Sequence, residues 1–282
     1  MRVEVVDNVG MTMAQALTPV IEGTKDLRIA VAFASKRGLD LLEEPLAAAI
    51  NAGSPIEFLV GLDFGTTEPK ALEHLLGLSR RYKNVSTIWL GSLSDAGVYH
   101  PKVYLSRVDE SVAAIVGSSN LTEGGLRKNV EVNVLVSSEA TDEFVSEIYA
   151  TYNQLKFHPE RVVPDDEYLA LYTQRFEVEK RERTKWSRGP ALRKLREAFV
   201  EKEKSLPAPT PTKRDLVGWL ELVYDAAPDG EFTNQDIYRH EAAFRERFPN
   251  NKHVREKARQ QLQFLRDMGF VEGMGAGLWR KL

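Results

Sequence analysis

The amino-acid sequence predicts an α/β domain followed by a small helical domain that ends in a β-hairpin. Over about the first 155 residues, short apolar runs alternate with amphipathic stretches of helical spacing, which is typical of strands and helices in one layered domain. The segment Ser205–Lys213 has three prolines in nine residues, as expected for a linker. We therefore place the domains at residues 1–157 and 212–282, joined by a helical and Pro-rich segment at 158–211.

The first domain contains six predicted strands. Each is a short run rich in apolar and β-branched residues, and the first two fit strands that are buried on both faces. The runs are Leu27–Phe33, Ile56–Gly61, Ser86–Leu90, Lys102–Leu105, Ala113–Val116 and Val130–Val136. Apolar residues at helical spacing predict helices at Gly38–Asn51, Glu68–Tyr82 and Thr141–Lys156.

The second domain has a different order of elements. Arg214–Ala227 is amphipathic, and a second helix follows it with Thr233 as the N-cap and Asp236 in the first turn. Asn251–Met268 has the pattern of a third helix, and Phe270–Leu282 predicts two short strands around a glycine turn. Three helices and a terminal hairpin describe a winged helix-turn-helix domain.

The composition is that of a globular protein, with 43% hydrophobic and 28% charged residues. The chain has no cysteine, which excludes disulfides, thiol nucleophiles and cysteine-ligated zinc. No apolar run approaches the ~20 residues that cross a bilayer, and the N-terminus lacks the pattern of a signal peptide. We therefore expect a cytoplasmic protein with no membrane partner.

The net charge of −3 hides two basic segments. Arg175–Lys204 has eleven Lys and Arg against six Glu, and Asn251–Arg266 has five against one. Basic segments in a mildly acidic chain favour a polyanionic partner, although a solvated helical face explains either segment equally well.

The most informative residues lie at the ends of three predicted strands. His100 and Lys102 are two positions apart, so both side chains project from the same face of their strand. Ser118 and Asn120 follow the next strand, and Glu131 lies at the start of the one after it. We therefore expect an imidazole, an ammonium, a hydroxyl, a carboxamide and a carboxylate to meet at one end of the sheet.

This set of groups fits phosphoryl transfer. A histidine attacks phosphorus when a carboxylate holds its other ring nitrogen, and we assign that orienting role to Glu131. Lys102 supplies positive charge, and Ser118 and Asn120 supply hydrogen-bond donors, for phosphoryl oxygens that gain charge in the transition state. Because the ammonium and the amide take the place of an ion, no metal and no other cofactor is expected. Each residue alone is more often structural, but their joint order along the strands favours catalysis.

The motifs H-x-K and G-S-x-N with a downstream glutamate resemble the signature of the phospholipase D superfamily. The matching residues are His100, Lys102, Gly117, Ser118, Asn120 and Glu131. The similarity covers residues 1–155 and is to the nuclease and restriction-enzyme branch, which implies a mixed sheet flanked by helices. Since the family needs two motifs per active site and this chain has one, the resemblance also implies a homodimer with one composite site. Arg107 stands where the family usually has an aspartate.

The third helix of the second domain has the composition of a DNA-reading helix. Arginine pairs with guanine, and asparagine or glutamine with adenine, so its polar side chains can contact bases and phosphates. Following Asn250, the candidates for binding double-stranded DNA are Asn251, Lys252, His253, Arg255, Arg259, Gln260, Gln263 and, behind the glycine turn, Arg280. Residues 232–282 also resemble the C-terminal winged helix of Dam-replacing-type restriction endonucleases, some of which recognise methylated adenine. Methylated and unmethylated DNA are both open as substrates.

These features together predict a restriction-type endonuclease that acts without metal, through a phosphohistidine, as a homodimer. A lipid-acting member of the superfamily is an alternative, which the lack of an amphipathic anchor disfavours. A DNA-binding regulatory protein with a degenerate catalytic domain is a second alternative, which Arg107 keeps open. For the winged helix alone, a surface for protein contacts is the alternative to DNA binding.

Overall fold

The computed structural model describes most of the chain, namely residues 1–90, 98–187, 190–205, 211–249 and 251–282. It divides into two compact units, Met1–Lys194 and Leu195–Leu282. Residues 206–210 of the Pro-rich segment and Asn250 lie outside the described residues, and the domain boundaries placed at 157 and 212 stay predictions. In the part of the chain described, no helix is long and apolar enough to cross a membrane.

A mixed eight-stranded sheet forms the centre of the first unit. Its strands are β1 (Arg2–Val6), β2 (Asp26–Val31), β3 (Ile56–Gly61), β4 (Val85–Leu90), β5 (Lys102–Val108), β6 (Ser111–Gly117), β7 (Asn133–Glu139) and β8 (Arg161–Val162). They lie in the order β1-β7-β6-β5-β2-β3-β4-β8. The neighbours β2, β3 and β4 are parallel, and the other neighbouring pairs are antiparallel. The predicted fold class is confirmed.

Helices pack against both faces of this sheet. They are α1 (Met13–Ile21), α2 (Lys36–Asp40), α3 (Glu43–Asn51), α4 (Pro69–Arg81), α5 (Glu143–Lys156) and α6 (Asp166–Ser187). The next helix, α7 (Pro190–Ser205), begins in the first unit and lies mostly in the second. On one face, α1, α3, α4 and α6 bury side chains such as Leu17, Leu72 and Tyr172 in the main core. On the other face, Tyr152 of α5 packs against Val103 of β5. Each fully buried large side chain stabilises this layered arrangement by about 1.5–3 kcal/mol.

In the first unit the structure adds three elements to the sequence prediction, one of them the short strand β8, and it divides one predicted helix into two. The edge strand β1 and the helix α1 were not predicted, and the pattern over Gly38–Asn51 forms the two helices α2 and α3 instead of one. Among the described strands, β1 pairs only with β7. Its side chains are mostly exposed, so it lacks the apolar run that marks the central strands.

The second unit is a winged helix. It contains α8 (Trp219–Ala226), β9 (Glu231–Thr233), α9 (Asn234–Tyr238), α10 (Glu241–Arg247), α11 (Val254–Asp267), β10 (Val271–Gly275) and β11 (Leu278–Lys281). Thr233 and Asp236 form the predicted N-terminal cap, with the backbone N–H of Thr233 2.8 Å from the Asp236 carboxylate. The terminal hairpin gains β9 as a third strand, in the order β10-β11-β9, and the predicted second helix is two short ones.

Asn133 joins three segments at the end of the sheet where β6 stops and β7 starts. The side chain is 1% exposed. Its Nδ2 donates to the carbonyl of Val6, at 3.2 Å, and to the hydroxyl of Ser119, at 2.9 Å. Its Oδ1 accepts the backbone N–H of Ser119 at 3.0 Å. One amide thus fixes the loop that follows β6 to both β7 and β1.

We expect Asn133→Ala to lower the free energy of unfolding by about 2–4 kcal/mol, because it leaves a buried N–H and a buried C=O without partners. Chemical denaturation measures this loss. Ser137→Ala, on the same strand, is the matched control and should change stability by less than about 0.5 kcal/mol. A loss below about 1 kcal/mol for Asn133→Ala would contradict the structural role given to this amide.

Candidate active site

The five residues singled out from the sequence lie at one end of the first unit's sheet. Because β5 is antiparallel to both β2 and β6, its N-terminal end lies beside their C-terminal ends. The antiparallel pairing of β6 with β7 brings the start of β7 to the same place. Lys102 therefore comes from the first position of β5 and His100 from the segment just before it. Ser118 and Asn120 come from the loop after β6, and Glu131 from the segment just before β7.

The ammonium of Lys102 lies against the imidazole of His100. Nζ is 2.7 Å from Nδ1 and 3.1 Å from Nε2 of the ring, and it donates to the His100 carbonyl at 3.0 Å. A neutral imidazole has a lone pair on one ring nitrogen and a hydrogen on the other, so the ammonium donates to only one of the two. Lys102 is 7% exposed, whereas His100 is exposed. The pair thus presents a neutral ring to solvent over a nearly buried positive charge.

Phe33, which follows β2, is the apolar neighbour of this pair. Its ring meets the His100 ring edge-on, with centroids 5.4 Å apart, and the Lys102 Nζ lies 5.9 Å from its centroid. Burial lowers the pKa of His100 below its ordinary value, the charge of Lys102 lowers it further, and Asp63 acts in the opposite direction. The imidazole is therefore neutral at neutral pH, which is the form that acts as a nucleophile.

The loop after β6 supplies the hydroxyl and the carboxamide. The Ser118 hydroxyl donates to the Glu131 carboxylate and accepts the backbone N–H of Val132 at 2.9 Å. The Asn120 Oδ1 accepts the backbone N–H of Phe33 at 3.0 Å. The NH2 group of the same side chain is therefore the part that can donate to a substrate. Such donors stabilise a phosphoryl oxygen that gains negative charge.

Glu131 has a different set of contacts from the one expected. Its carboxylate accepts from Ser118 and, at 3.1 Å, from Nδ2 of Asn129. Its charge acts on Lys102, whose pKa is lowered by burial and raised by Glu131. Within one chain the imidazole contacts Lys102 and Phe33, and the orienting role of Glu131 toward a His100 ring stays a prediction.

Arg107 lies at the other end of β5 from the site. Its Nε donates to the carbonyl of Asp109 at 2.8 Å, and its own carbonyl accepts from the N–H of Lys25 at 2.7 Å. Five residues separate it from Lys102 along the strand, which is roughly 17 Å of extended chain. The departure from the family pattern at this position therefore leaves the groups around His100 intact.

The winged helix presents most of the predicted DNA-binding residues on its surface. Lys252, His253, Arg255, Arg259 and Gln263 are exposed, and Asn251, Gln260 and Arg280 are partly buried. Arg255 pairs with Glu241 at 2.6 Å. Arg280 pairs with Glu231 at 2.8 Å and with Glu272 at 3.3 Å. Arg280 is thereby tied to the strands on both sides of it, which gives this side chain a structural role in the wing.

Several residues that shape the site were not predicted from the sequence. Phe33 and Asn133 are ordinary strand residues by composition, and their contacts with the site join segments far apart in the chain. Asp63 was also missed, although a lone aspartate directly after a buried strand is a signal that could have marked it. Such positions become visible only when strand order and register are known.

Similar solved structures include two bacterial proteins of small size and one larger enzyme. NucT from Helicobacter pylori is 15% identical, with a TM-score of 0.43, covering 58% of this chain and 99% of its own. Nuc from Salmonella typhimurium, a phospholipase D family member, is 17% identical, with a TM-score of 0.40, covering 55% and 91%. Phosphatidylserine synthase from Haemophilus influenzae is 14% identical, with a TM-score of 0.47, covering 64% and 46%.

Two family models match separate parts of the chain. Residues 21–156 match the model described as a cardiolipin synthase, phospholipase D-like domain. Residues 216–281 match the Dam-replacing helix-turn-helix domain. The first match contains His100, Lys102, Ser118, Asn120 and Glu131, and the second contains all of α8 to α11 and the wing. Both resemblances inferred from the motifs are confirmed, and the chain joins a phospholipase D-like domain to a winged-helix domain of the Dam-replacing type.

Proposed function

We propose that this protein is a metal-independent endonuclease of the restriction type, which hydrolyses DNA phosphodiesters at a composite homodimer site. The observation that carries the proposal is the contact of 2.7 Å between Nζ of Lys102 and Nδ1 of His100. A neutral ring beside an ammonium suits attack on a phosphodiester, because the ring supplies an electron pair while the ammonium offsets charge on the phosphoryl oxygens.

Hydrolysis proceeds in two displacements at phosphorus. A ring nitrogen of His100 attacks the phosphodiester, the bond to the leaving oxygen breaks, and the partner's His100 donates a proton to that oxygen. Water then attacks the phosphohistidine, the partner's His100 accepts its proton, and the P–N bond breaks to release the phosphate end. Lys102 and Asn120 donate to the phosphoryl oxygens in both steps, and Ser118 joins them when its hydroxyl turns from Glu131 to the substrate.

The need for a second histidine is the reason for a homodimer. The chain has one H-x-K motif, so a second copy must supply the general acid. A group of exposed valines beside the site, here named the valine face, is suited to this contact: Val3, Val5, Val116, Val132 and Val134. Val5 pairs with Val134, and Val134 with Val116, so these three share one side of the sheet.

The valine face continues the side of the sheet that α5 covers. Val116 pairs with Val103, which packs in the cluster that includes Tyr152 of α5. The strands β1, β7 and β6 extend beyond that cluster and expose the valines of the valine face, with Val5 at 67% and Val132, just before β7, at 62%. Contiguous exposed apolar residues are typical of protein interfaces, and an interface here adjoins Ser118 and Glu131.

The exposed basic side chains of the winged helix favour DNA as the substrate. Exposed Lys252, Arg255 and Arg259 lie at the start and on the outer side of α11, where a recognition helix contacts phosphates and base edges. The groups around His100 recognise only a phosphodiester, so the choice of DNA depends on this second unit.

Cleavage of plasmid DNA, methylated or unmethylated, should persist in excess EDTA, because the ammonium of Lys102 supplies the charge that a metal would otherwise bring. His100→Ala should lower the rate at least about a thousandfold while DNA affinity stays within about twofold, since the ring is the nucleophile and not a main source of binding. Gel analysis and a filter-binding assay give the two readouts.

His74→Ala, on α4, is the matched control and should leave cleavage unchanged. A strict requirement for Mg²⁺ would rule out the phosphohistidine route. Tight DNA binding without cleavage of any DNA by the wild-type protein would instead identify a DNA-binding regulatory protein.

Val5→Asp should shift the protein from dimer to monomer and reduce cleavage in parallel. Two copies of a carboxylate buried near a two-fold axis repel each other and lose hydration, which weakens association at least about a hundredfold. Sedimentation equilibrium measures this change. Val178→Asp, at a similarly exposed valine of α6, is the control and should leave the dimer intact.

A wild-type protein that is monomeric and fully active would refute the composite site. A dimer that survives Val5→Asp unchanged would place the interface away from the valine face.

A further inference from the structure

Asp63 is a nearly buried carboxylate beside the site. It follows β3, is 5% exposed, and its Oδ2 accepts the backbone N–H of Tyr99 at 2.8 Å. Tyr99 immediately precedes His100, so this bond fixes the chain where it enters β5. A buried carboxylate is costly unless it is paired or hydrogen-bonded, which makes its placement next to the proposed nucleophile informative.

The turn that carries Asp63 is held in one conformation by α6. Phe64 has a φ of 59°, in the left-handed region that non-glycine residues rarely adopt. Arg183 donates to the carbonyl of Phe64 and, at 3.2 Å, to that of Gly65. A Cβ added at Gly65 would lie 2.2 Å from a carboxylate oxygen of Glu179, so the helix packs directly on the turn. The carboxylate of Asp63 is therefore fixed in position.

Two charges of opposite sign act on the His100 ring. After burial, the charge of Lys102 lowers its pKa, and the charge of Asp63 raises it. The charge of Glu131 raises the pKa of Lys102. The charge of Asp63 also acts on two residues of α6, Arg175 and Tyr172. Of the two carboxylates near the site, Glu131 raises the pKa of Lys102 and Asp63 raises the pKa of His100.

We propose that Asp63 is a positioning residue for His100, which holds the chain at Tyr99 and so fixes where the imidazole enters the site. The proposal rests on the function given above, in which one His100 attacks as a neutral ring and the partner's His100 donates a proton. The charge of Lys102 favours the neutral ring, and the charge of Asp63 favours the protonated ring. Without Asp63, the ring would remain a nucleophile but would become a poorer acid for the leaving oxygen.

The ionisation of His100 can be measured without DNA, by NMR titration of the full chain, with His100→Ala identifying its signal among five histidines. Asp63→Asn keeps an oxygen for the Tyr99 N–H and removes the charge, so the pKa of His100 should fall. Lys102→Met should raise it. Asp26→Asn removes a carboxylate at the other end of β2 and should leave the His100 titration unchanged.

The pH profile of cleavage separates positioning from a purely structural role. Asp63→Asn should lower the single-turnover rate at pH 7.5 about three- to tenfold, with recovery as the pH falls, because the acid is then protonated again. A structural defect would lower the rate equally at every pH. If Asp63→Asn fails to fold, as judged by circular dichroism, Asp63→Ser provides a smaller uncharged side chain with an oxygen acceptor.

An unchanged His100 titration in a folded uncharged variant at position 63 would overturn the proposal, as would a uniform loss of rate. The titration also distinguishes this failure from failure of the proposed function. If the wild-type protein cuts no DNA but Asp63→Asn still lowers the pKa of His100, the nuclease function is wrong and the role of Asp63 toward the ring stands.

Discussion

The register of β5 between β2 and β6 is the constraint on which the site depends. Lys102 lies opposite Val31, and Val103 lies opposite Val116, which puts the lysine on the side of the main core and the valine on the side of α5. A slip of one residue would exchange these sides. The ammonium would then leave His100 and Glu131, and an apolar side chain would replace it at the centre of the site.

A nearly buried lysine also determines how protons are shared. Two basic groups 2.7 Å apart cannot both be protonated without strong repulsion, so the charge resides on whichever has the better counter-ion. Glu131 supports Lys102, and the ring of His100 is left neutral. The ring of Phe33 lies against both groups, edge-on to the imidazole and 5.9 Å from the ammonium. The packing around Lys102 thus determines that the lysine, and not the imidazole of His100, has the positive charge.

The sequence predicted the parts of the fold whose signals are local. Central strands such as β3 are continuous apolar runs, and the H-x-K spacing alone places two side chains on one face. The edge strand β1 was missed because an edge strand lacks such a run. Asn133 was missed for another reason, since its partner Val6 is 127 residues away. Glu131 was placed at the site by its motif, but its partners depend on loop geometry that no spacing encodes.

The chemistry of the site also explains why a second unit accompanies it. Imidazole, ammonium, hydroxyl and amide groups meet a phosphodiester, which is the same at every step of a DNA strand, so they provide rate without sequence preference. A chain that cut wherever it met DNA would not discriminate between sites. Base edges must be read elsewhere, and α11 has the exposed arginine and glutamine that such reading requires. Under the proposed composite site, one phosphodiester would occupy the centre at a time, and the two strands of a duplex would then be cut in succession.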